Sequence, residues 1–303
     1  MASNLTAQEK KNIIQKSIAA ENIYELKIQR VLDDELAELE DDFERLQVEE
    51  EDISEAFMNI NSWAYQEEDD AEEERPKQNM YRKRIEAANT QVYQKGIDDL
   101  VNALAGQIKF EPSFGKINEN DKKRIAKITK HTVAGLGSIK SSLKSPITNT
   151  IIEGRDLGES HTSIAERVQA VWGGESYRSR TFARTMANHT YNSAQLSKMK
   201  DVEIERAEIF AVMDERTSPI CIFMNGTIFE VNDPEAIWPP YHFNCRTKIV
   251  AQLSDEYPVD DMGGLLERDY SQMSDGSAVS QDFVDLQFQK IDTFKSKYWS
   301  VPI

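Results

Sequence analysis

Two cysteines and one histidine are spaced as the ligands of a metal ion would be. Cys221 and Cys245 are the only cysteines of the sequence, and His242 stands three residues before the second one. Two thiolates and an imidazole suit zinc, and a His-x-x-Cys spacing lets two ligands of one turn reach a common ion. We call these three residues the Cys/His corner. A structural zinc site usually has four ligands, so a fourth must be found.

The sequence around the corner predicts a small antiparallel sheet. Residues 207–214, 222–229 and 247–253 have the apolar pattern of strands. Within the second, Asn225-Gly226 predicts a two-residue hairpin, because both residue types tolerate a positive φ. This hairpin is expected to carry Cys221 to the side of the other two ligands.

Two helices are expected to support this sheet. An apolar stripe predicts a helix that begins near Ser163 and ends at Gly173-Gly174. A second helix is predicted from about Ser176 to Lys200, with small residues on one face that allow close packing. The predicted fold class is therefore α+β and mainly α, with long N-terminal helices followed by a compact domain of helices and a small antiparallel sheet.

The remaining sequence predicts helices and four consecutive regions. Thr6 and Glu9 form a candidate capping box at the start of the first helix. Further helices are predicted at 77–110, 119–133 and about 280–297. We divide the chain into an acidic helical segment (1–75), a helical middle region (76–150), an α+β domain with the Cys/His corner (151–253) and a C-terminal tail with a short helix (254–303).

The negative charge of the chain belongs to one segment. The 303 residues carry a formal charge of −17, and residues 33–75 hold 20 acidic residues against two arginines. The acid-rich stretch 67–76 favours a solvated linker or helix end, with a strip for a basic protein partner as the alternative. The N-terminus lacks the apolar core of a signal peptide, and no run of about 18 apolar residues indicates a membrane span. We expect a soluble protein that folds in a reducing cytoplasm and does not contact membranes.

Several motifs together resemble a known family. A helix with FARTMANHTYNSAQ is followed by a strand that leads into DERTSPIC, by Asn-Gly, and by Pro-Pro before HFNCRT. In this order, the block from about 158 to 250 resembles the phage head morphogenesis family, the minor head proteins similar to the F protein of phage Mu. The resemblance implies a virion component at the portal vertex that acts in head assembly, genome packaging or genome delivery. It implies the portal, scaffold or major capsid protein as partners, contact with packaged DNA, and a location in the phage head after assembly in the host cytoplasm.

The resemblance also implies roles for individual residues. Relatives often have cysteine where this chain has Ser218 and Thr247, so fewer metal ligands remain here. Asp214 or His189 is the expected fourth zinc ligand, and the Arg184 guanidinium is expected to pair with the Asp214 carboxylate. Residues that match the structural motif are Arg184, Asp214, Arg216, Asn225, Gly226, Pro240 and Arg246. Two alternatives to zinc stay open, namely a corner without metal in which the cysteines are buried hydrophobic residues, and a disulfide bond.

The alternative function is that of a metal-dependent hydrolase or nuclease. His242 with Asp214 and Glu215 would supply its chemistry, and three protein ligands would leave an open position for water. We expect no enzyme, because the sequence shows no further cluster of histidines and acids for acid–base catalysis. Nucleic-acid binding through the basic residues at 82–84 and 122–124 is also disfavoured, because such residues normally form solvated helix faces.

Overall fold

The fold is seen in a computed structural model, which describes residues 6–45, 76–159, 161–253 and 280–298. Most of the acidic stretch 67–76 lies outside these residues, so its predicted role as a linker stays a prediction. The described helices and strands confirm an α+β fold that is mainly α. They are α1 (Ala7–Arg45), α2 (Pro76–Leu104), α3 (Glu119–Ser141), α4 (Lys144–Asp156), α5 (His161–Asp201), β1 (Arg206–Phe210), α6 (Pro219–Met224), β2 (Ile228–Glu230), β3 (Lys248–Gln252) and α7 (Gln281–Tyr298).

The three strands form one antiparallel sheet in the order β2-β1-β3. Ala207, the second residue of β1, faces Phe229 on one side and Ala251 on the other. All five residues of β3 are buried. The expected small antiparallel sheet is thus confirmed, with β1 shorter than predicted.

The predicted hairpin at Asn225-Gly226 is wrong. Residues 219–224 form the helix α6, and the second strand begins only at Ile228. Ser218 caps this helix, and Pro219 at the first helical position has the φ that a helix needs. Asn225 has a φ of −60°, and only Gly226 has a positive value. The Asn225 side chain instead accepts a hydrogen bond from the backbone N–H of Ala211, at 2.8 Å.

The predicted helix end at Gly173-Gly174 is also wrong. Helix α5 runs without a break for 41 residues through both glycines. Glycine in a helix costs only about 1 kcal/mol relative to alanine. Buried residues on both sides, such as Val168 and Phe182, give the helix enough packing to continue.

The chain folds into two compact units that alternate along the sequence. The first contains Met1–Asn22, Thr90–Ile125 and Arg184–Ile303, and the second contains Ile23–Asn89 and Ala126–Ala183. The four consecutive regions expected from the sequence stay a prediction.

In the first unit, the start of α1 is bound to the sheet. The predicted capping box is confirmed, since the Thr6 N–H donates to the Glu9 carboxylate at 2.7 Å and the Glu9 N–H donates to the Thr6 hydroxyl at 3.2 Å. Further along α1, Glu21 forms a buried ion pair with Lys248 of β3. These residues of the acidic N-terminal region are therefore part of the unit that contains the Cys/His corner.

A buried carboxylate connects three helices of the same unit. Asp121 at the start of α3 accepts hydrogen bonds from the hydroxyls of Tyr93 and Ser197 and from the backbone N–H of Asn118, at 2.9, 3.1 and 2.9 Å. It also pairs with the buried ammonium of Lys198, at 2.8 Å. Burial alone would raise the pKa of the Asp121 carboxyl, but these donors outweigh burial and the pKa is lower than usual.

The second unit has its own buried polar connection. The Tyr24 hydroxyl donates to the Asn89 side chain at 2.8 Å, and the Asn89 amide donates to Thr129 at 3.0 Å. The bonds hold α1, α2 and α3 together. No helix within the described residues combines the length and the apolar character that a bilayer crossing requires.

Candidate metal centre in the Cys/His corner

The three residues of the Cys/His corner converge on one point. Cys221 lies on α6, whereas His242 and Cys245 lie in the turn before β3. Their donor atoms all lie within 4.8 Å of one another. The two Sγ atoms are 3.7 Å apart, and Cys221 Sγ is 3.1 Å from His242 Nε2.

The turn from 242 to 245 has a backbone that brings its two ligands to the same side. The Cys245 N–H donates to the His242 carbonyl at 3.3 Å. Asn244 has a φ of 60°, a left-handed conformation that asparagine tolerates better than most residues. Its N–H donates to the Thr185 hydroxyl on α5, at 2.9 Å, which fixes the turn against that helix.

The imidazole of His242 is oriented as a metal ligand would be. Its Nδ1 lies 2.6 Å from the carbonyl oxygen of Phe243. Because a carbonyl only accepts hydrogen bonds, Nδ1 carries the proton in the neutral ring and Nε2 then has the lone pair. That lone pair faces Cys221 and Ser218, and such backbone contacts to the second ring nitrogen are typical of metal-bound histidines.

The Cys/His corner has the dimensions of a zinc site. Two thiolates bound to a tetrahedral zinc at about 2.3 Å lie about 3.8 Å apart, close to the 3.7 Å between the two Sγ atoms. A disulfide would need about 2.05 Å, and both cysteines are free. One imidazole and two thiolates also balance the charge of Zn²⁺, so the residues present fit this ion.

The protonation of the two thiols is unequal. Hydrogen bonding to Cys245, together with burial, raises the pKa of the Cys221 thiol well above its usual range. Burial alone would also raise the pKa of Cys245, but hydrogen bonds from Cys221 and His242 outweigh it and hold that pKa well below the usual range. Burial lowers the pKa of His242, and the hydrogen bond to Cys245 more than offsets this, so the net direction is upward.

Asp214 is not in the set of metal donors that the described residues bring together. Its two carboxylate oxygens accept from the two Arg246 guanidinium nitrogens, at 2.6 and 2.7 Å. The hydrogen bond from Arg246 is the main reason why the pKa of the Asp214 carboxyl is far below its usual value. The guanidinium that pairs with Asp214 is therefore that of Arg246 and not, as expected, that of Arg184. The pair joins the loop before α6 to the turn that carries Cys245.

The other residues singled out from the sequence lie around the corner. The Arg216 N–H donates to Asp214 at 2.9 Å, while its side chain is exposed. Arg184 and His189 lie on α5, the first exposed and the second fully buried outside the three-residue donor set. Pro240 is buried two residues before His242 and follows a cis peptide bond.

Two asparagines of α5, which sequence reasoning missed, hold the backbone of the corner. The Asn188 amide donates to the carbonyls of Cys245 and Thr247, at 2.7 and 3.2 Å. The Asn192 amide donates to the Thr247 carbonyl at 3.1 Å and accepts from the Ile249 N–H at 3.3 Å. These amides form hydrogen bonds with backbone groups in and just before β3, which is an edge strand of the described sheet and has no further described strand on this side. Their i, i+4 spacing in NHTYN was the available signal.

A buried lysine adjoins these amides. The Lys248 ammonium contacts the carboxylate of Glu21 and the side-chain oxygen of Asn188. It also lies 4.9 Å from the centre of the Tyr191 ring. Burial raises the pKa of Glu21, and the charge of Lys248 opposes this. The polar face of α5 thus binds both the turn and the strand that follows it.

With this geometry described, the chain can be compared with known proteins. Residues 144–250 match the family model described as Phage Mu protein F like protein. This match confirms the resemblance inferred from the motifs and indicates a phage head-related protein. No curated protein and no solved structure matches the chain. The matched segment contains α4, α5, the Cys/His corner and most of the sheet.

Proposed function

We propose that the protein is a phage minor head protein, a virion component at the portal vertex that acts in head morphogenesis and in genome packaging or delivery. The observation that carries this proposal is the match of residues 144–250 to the Phage Mu F-like family. The assembly partners are the portal protein together with scaffold or major capsid protein, and the packaged DNA is a further contact. The protein acts in the host cytoplasm during assembly and stays in the phage head.

We place partner docking on the acidic part of α1 beyond its anchored start. Residues 6–22 cannot be removed to test this, because Lys10 and Glu21 pair with Glu208 and Lys248 in the first unit. Asp33 and Asp34 are exposed on α1. Asp33 presents negative charge to a basic partner surface without taking part in the anchored segment, whereas Asp34 pairs with Arg84 of α2 at 2.7 Å.

The composition of purified particles tests the proposal. A phage that lacks this gene is complemented with the wild-type chain, and procapsids and virions are analysed by quantitative mass spectrometry. We expect the chain in both particles, at a few copies relative to the major capsid protein. Recovery of the chain only in the particle-free fraction would overturn the proposal.

The docking surface is tested in the same assay by charge reversal. The variant Asp33→Lys should lower incorporation severalfold; Asp34 is kept, because its reversal would also break the pair with Arg84. The matched control is Asp98→Lys, because Asp98 is an exposed acid on α2. Equal incorporation of all three chains would exclude this part of α1 as the docking surface.

The geometry gives less support to a hydrolase or nuclease. Asp214, the candidate general base, has both carboxylate oxygens in hydrogen bonds with Arg246. His242 Nδ1 contacts a backbone carbonyl rather than an acid that would tune it for proton transfer. We therefore propose a non-enzymatic role. DNA or ester hydrolysis by the purified chain that is lost in His242→Ala with the fold retained would contradict it.

A further inference from the structure

The corner contains a fourth donor atom besides those of its two cysteines and its histidine. Ser218 Oγ lies 2.7 Å from His242 Nε2, the ring nitrogen that faces the cysteines. The same oxygen lies 3.4 Å from the backbone nitrogen of Cys221, as the N-cap of α6. Ser218 is only half-buried, whereas both cysteines are buried.

We propose that Cys221, His242 and Cys245 hold a zinc ion and that the Ser218 hydroxyl is its fourth ligand. This inference goes beyond the head-protein function and stands or falls separately from it. Two elements supply the four donors, since the start of α6 provides oxygen and sulfur and the turn before β3 provides nitrogen and sulfur. Such a set of four converging donors is the arrangement of a closed structural zinc site.

The charge and the surroundings of the donors favour zinc at this place. Two thiolates neutralise Zn²⁺, so the occupied site carries no net charge into the core. Cys221 and Cys245 are 3% and 1% exposed. The cap of α6 and the bond from His242 Nδ1 to a carbonyl fix Ser218 and the imidazole independently of the ion. Zinc would therefore tie α6 to the turn with a small local shift, in which the Ser218 hydroxyl turns from His242 Nε2, 2.7 Å away, toward the ion.

A neutral hydroxyl donates less charge to the ion than a thiolate does, so Ser218 is the weakest ligand of the four. Replacing Ser218 should change the affinity of the corner for the metal ion, and the new side chain determines whether the affinity rises or falls. Ser218→Cys adds a third thiolate and should bind the metal at least about tenfold more tightly. Ser218→Gly removes the hydroxyl and should weaken binding about tenfold, within the range found for residues that support metal sites.

Cobalt(II) is the probe, because its absorption reports thiolate ligation and tetrahedral geometry. The full chain is purified, stripped with a chelator and titrated with Co²⁺ and then with Zn²⁺, and the bound metal is counted by mass spectrometry. We expect one metal per chain, sulfur-to-cobalt charge-transfer bands and intense tetrahedral d–d bands. Ser218→Cys should strengthen the charge-transfer bands by about one half, because thiolates rise from two to three.

Two control variants separate this assignment from the alternatives. Glu235→Gln should leave affinity and spectrum unchanged, because Glu235 is an exposed acid outside the donor set of the corner. Ser218→Gly is preferred to Ser218→Ala because glycine retains most of the N-cap stability of α6. Circular dichroism of each stripped variant establishes that it is folded.

The outcomes decide both parts of the proposal. One tetrahedral Co²⁺ per wild-type chain, with affinity rising in Ser218→Cys and falling in Ser218→Gly, supports it. An unchanged spectrum and affinity in Ser218→Gly would exclude Ser218 as a ligand. A folded wild-type chain and a folded Ser218→Cys variant that both fail to bind stoichiometric metal at micromolar concentration would overturn the zinc site.

Discussion

Replacing Asp121 by asparagine tests whether the buried carboxylate holds the first unit together. Asparagine keeps the shape of the side chain and one oxygen, which can still accept from Tyr93 and Ser197. Its amide group, however, would face two donors, the Lys198 ammonium and the Asn118 N–H, which are 2.8 and 2.9 Å from the carboxylate. The substitution thus removes the buried counterion of a lysine that is 1% exposed and leaves it only the partly exposed Asp201.

The size of the effect follows from these two losses. Removing one partner of a buried ion pair costs about 3–5 kcal/mol, because the other charge stays buried. The lower end of this range applies, because Asp201 remains 3.1 Å from the Lys198 ammonium. Losing the acceptor for a helix-capping N–H costs about 1 kcal/mol more. The free energy of unfolding should therefore fall by about 4 kcal/mol, a large part of the roughly 5–15 kcal/mol of an ordinary domain.

Urea unfolding at pH 7, followed by circular dichroism, measures this loss. The matched control is Asp201→Asn, because Asp201 pairs with the same Lys198 at 3.1 Å but its side chain is 38% exposed. An exposed pair of this kind contributes less than about 1 kcal/mol. If the two variants differ by less than about 1 kcal/mol, the carboxylate of Asp121 does not have the role assigned to it.

The pH dependence gives a second readout with a definite sign. The folded pKa of Asp121 lies below its unfolded value. Its ionised form therefore stabilises the fold above the unfolded pKa of about 4, and this contribution is lost as the pH falls through the lower folded pKa. The difference between wild type and Asp121→Asn should be full at pH 6–7 and should shrink below about pH 4.

Three further predictions concern the surroundings of the corner. Asn188→Ala should lower the free energy of unfolding by about 2–3 kcal/mol, because two buried carbonyls lose their donor. Urea unfolding measures this loss, and a loss below about 0.5 kcal/mol would contradict the prediction. Gly96→Ala should lower the free energy of unfolding by about 1–3 kcal/mol, since the new methyl group would lie 2.8 Å from a backbone oxygen of α5. The control Gly115→Ala should be nearly neutral in the same measurement, because the closest contact of its methyl group is 3.6 Å. Arg246→Lys should lower the midpoint of thermal unfolding nearly as much as Asp214→Ala, since lysine cannot donate to both carboxylate oxygens in the same way; full stability in the lysine variant would refute the two-bond pairing.

Local sequence patterns predicted the correct secondary structure where they favoured only one type of element. The apolar run 247–253 predicted β3, which spans Lys248–Gln252. The predicted helix at about 280–297 is α7, from Gln281 to Tyr298. The His-x-x-Cys spacing pointed to a common ligand site because a single turn fixes the relation between the two side chains, and the structure places their donor atoms together.

Prediction failed where two local signals competed within a few residues. Ser218-Pro219 favours the start of a helix, and Asn225-Gly226 favours a hairpin six residues later. The apolar residues 220–224 fit either period, so the sequence pattern alone did not decide between helix and strand. The structure uses the helix start, and it uses asparagine as an acceptor for the backbone of β1.

Contacts between residues that are distant in sequence could not be predicted from local sequence patterns. Asp214 was assigned to the wrong arginine because Arg184 and Arg246 both matched the family pattern, and only the packing of the loop against the turn selects Arg246. Lys248 and Glu21 are 227 positions apart, and nothing in the spacing of either marks the pair. The fourth zinc ligand was sought among acids and histidines, whereas the nearest oxygen to His242 Nε2 within the described corner comes from Ser218.

The segment that matches the family model lacks the buried counterions of two of its lysines. Lys198 and Lys248 lie inside residues 144–250 and are almost fully buried, but their buried acidic partners Asp121 and Glu21 lie upstream of that segment. A chain reduced to 144–250 would keep only the partly exposed Asp201 beside Lys198 and would lose the carboxylate of Glu21 beside Lys248, and the loss of one partner of a buried ion pair costs about 3–5 kcal/mol. The upstream helices are thus part of the folded unit, and the bounds of the family match alone do not define it. The docking surface proposed for α1 would therefore consist of exposed residues, because the buried acid of this helix, Glu21, already stabilises the unit that holds the Cys/His corner.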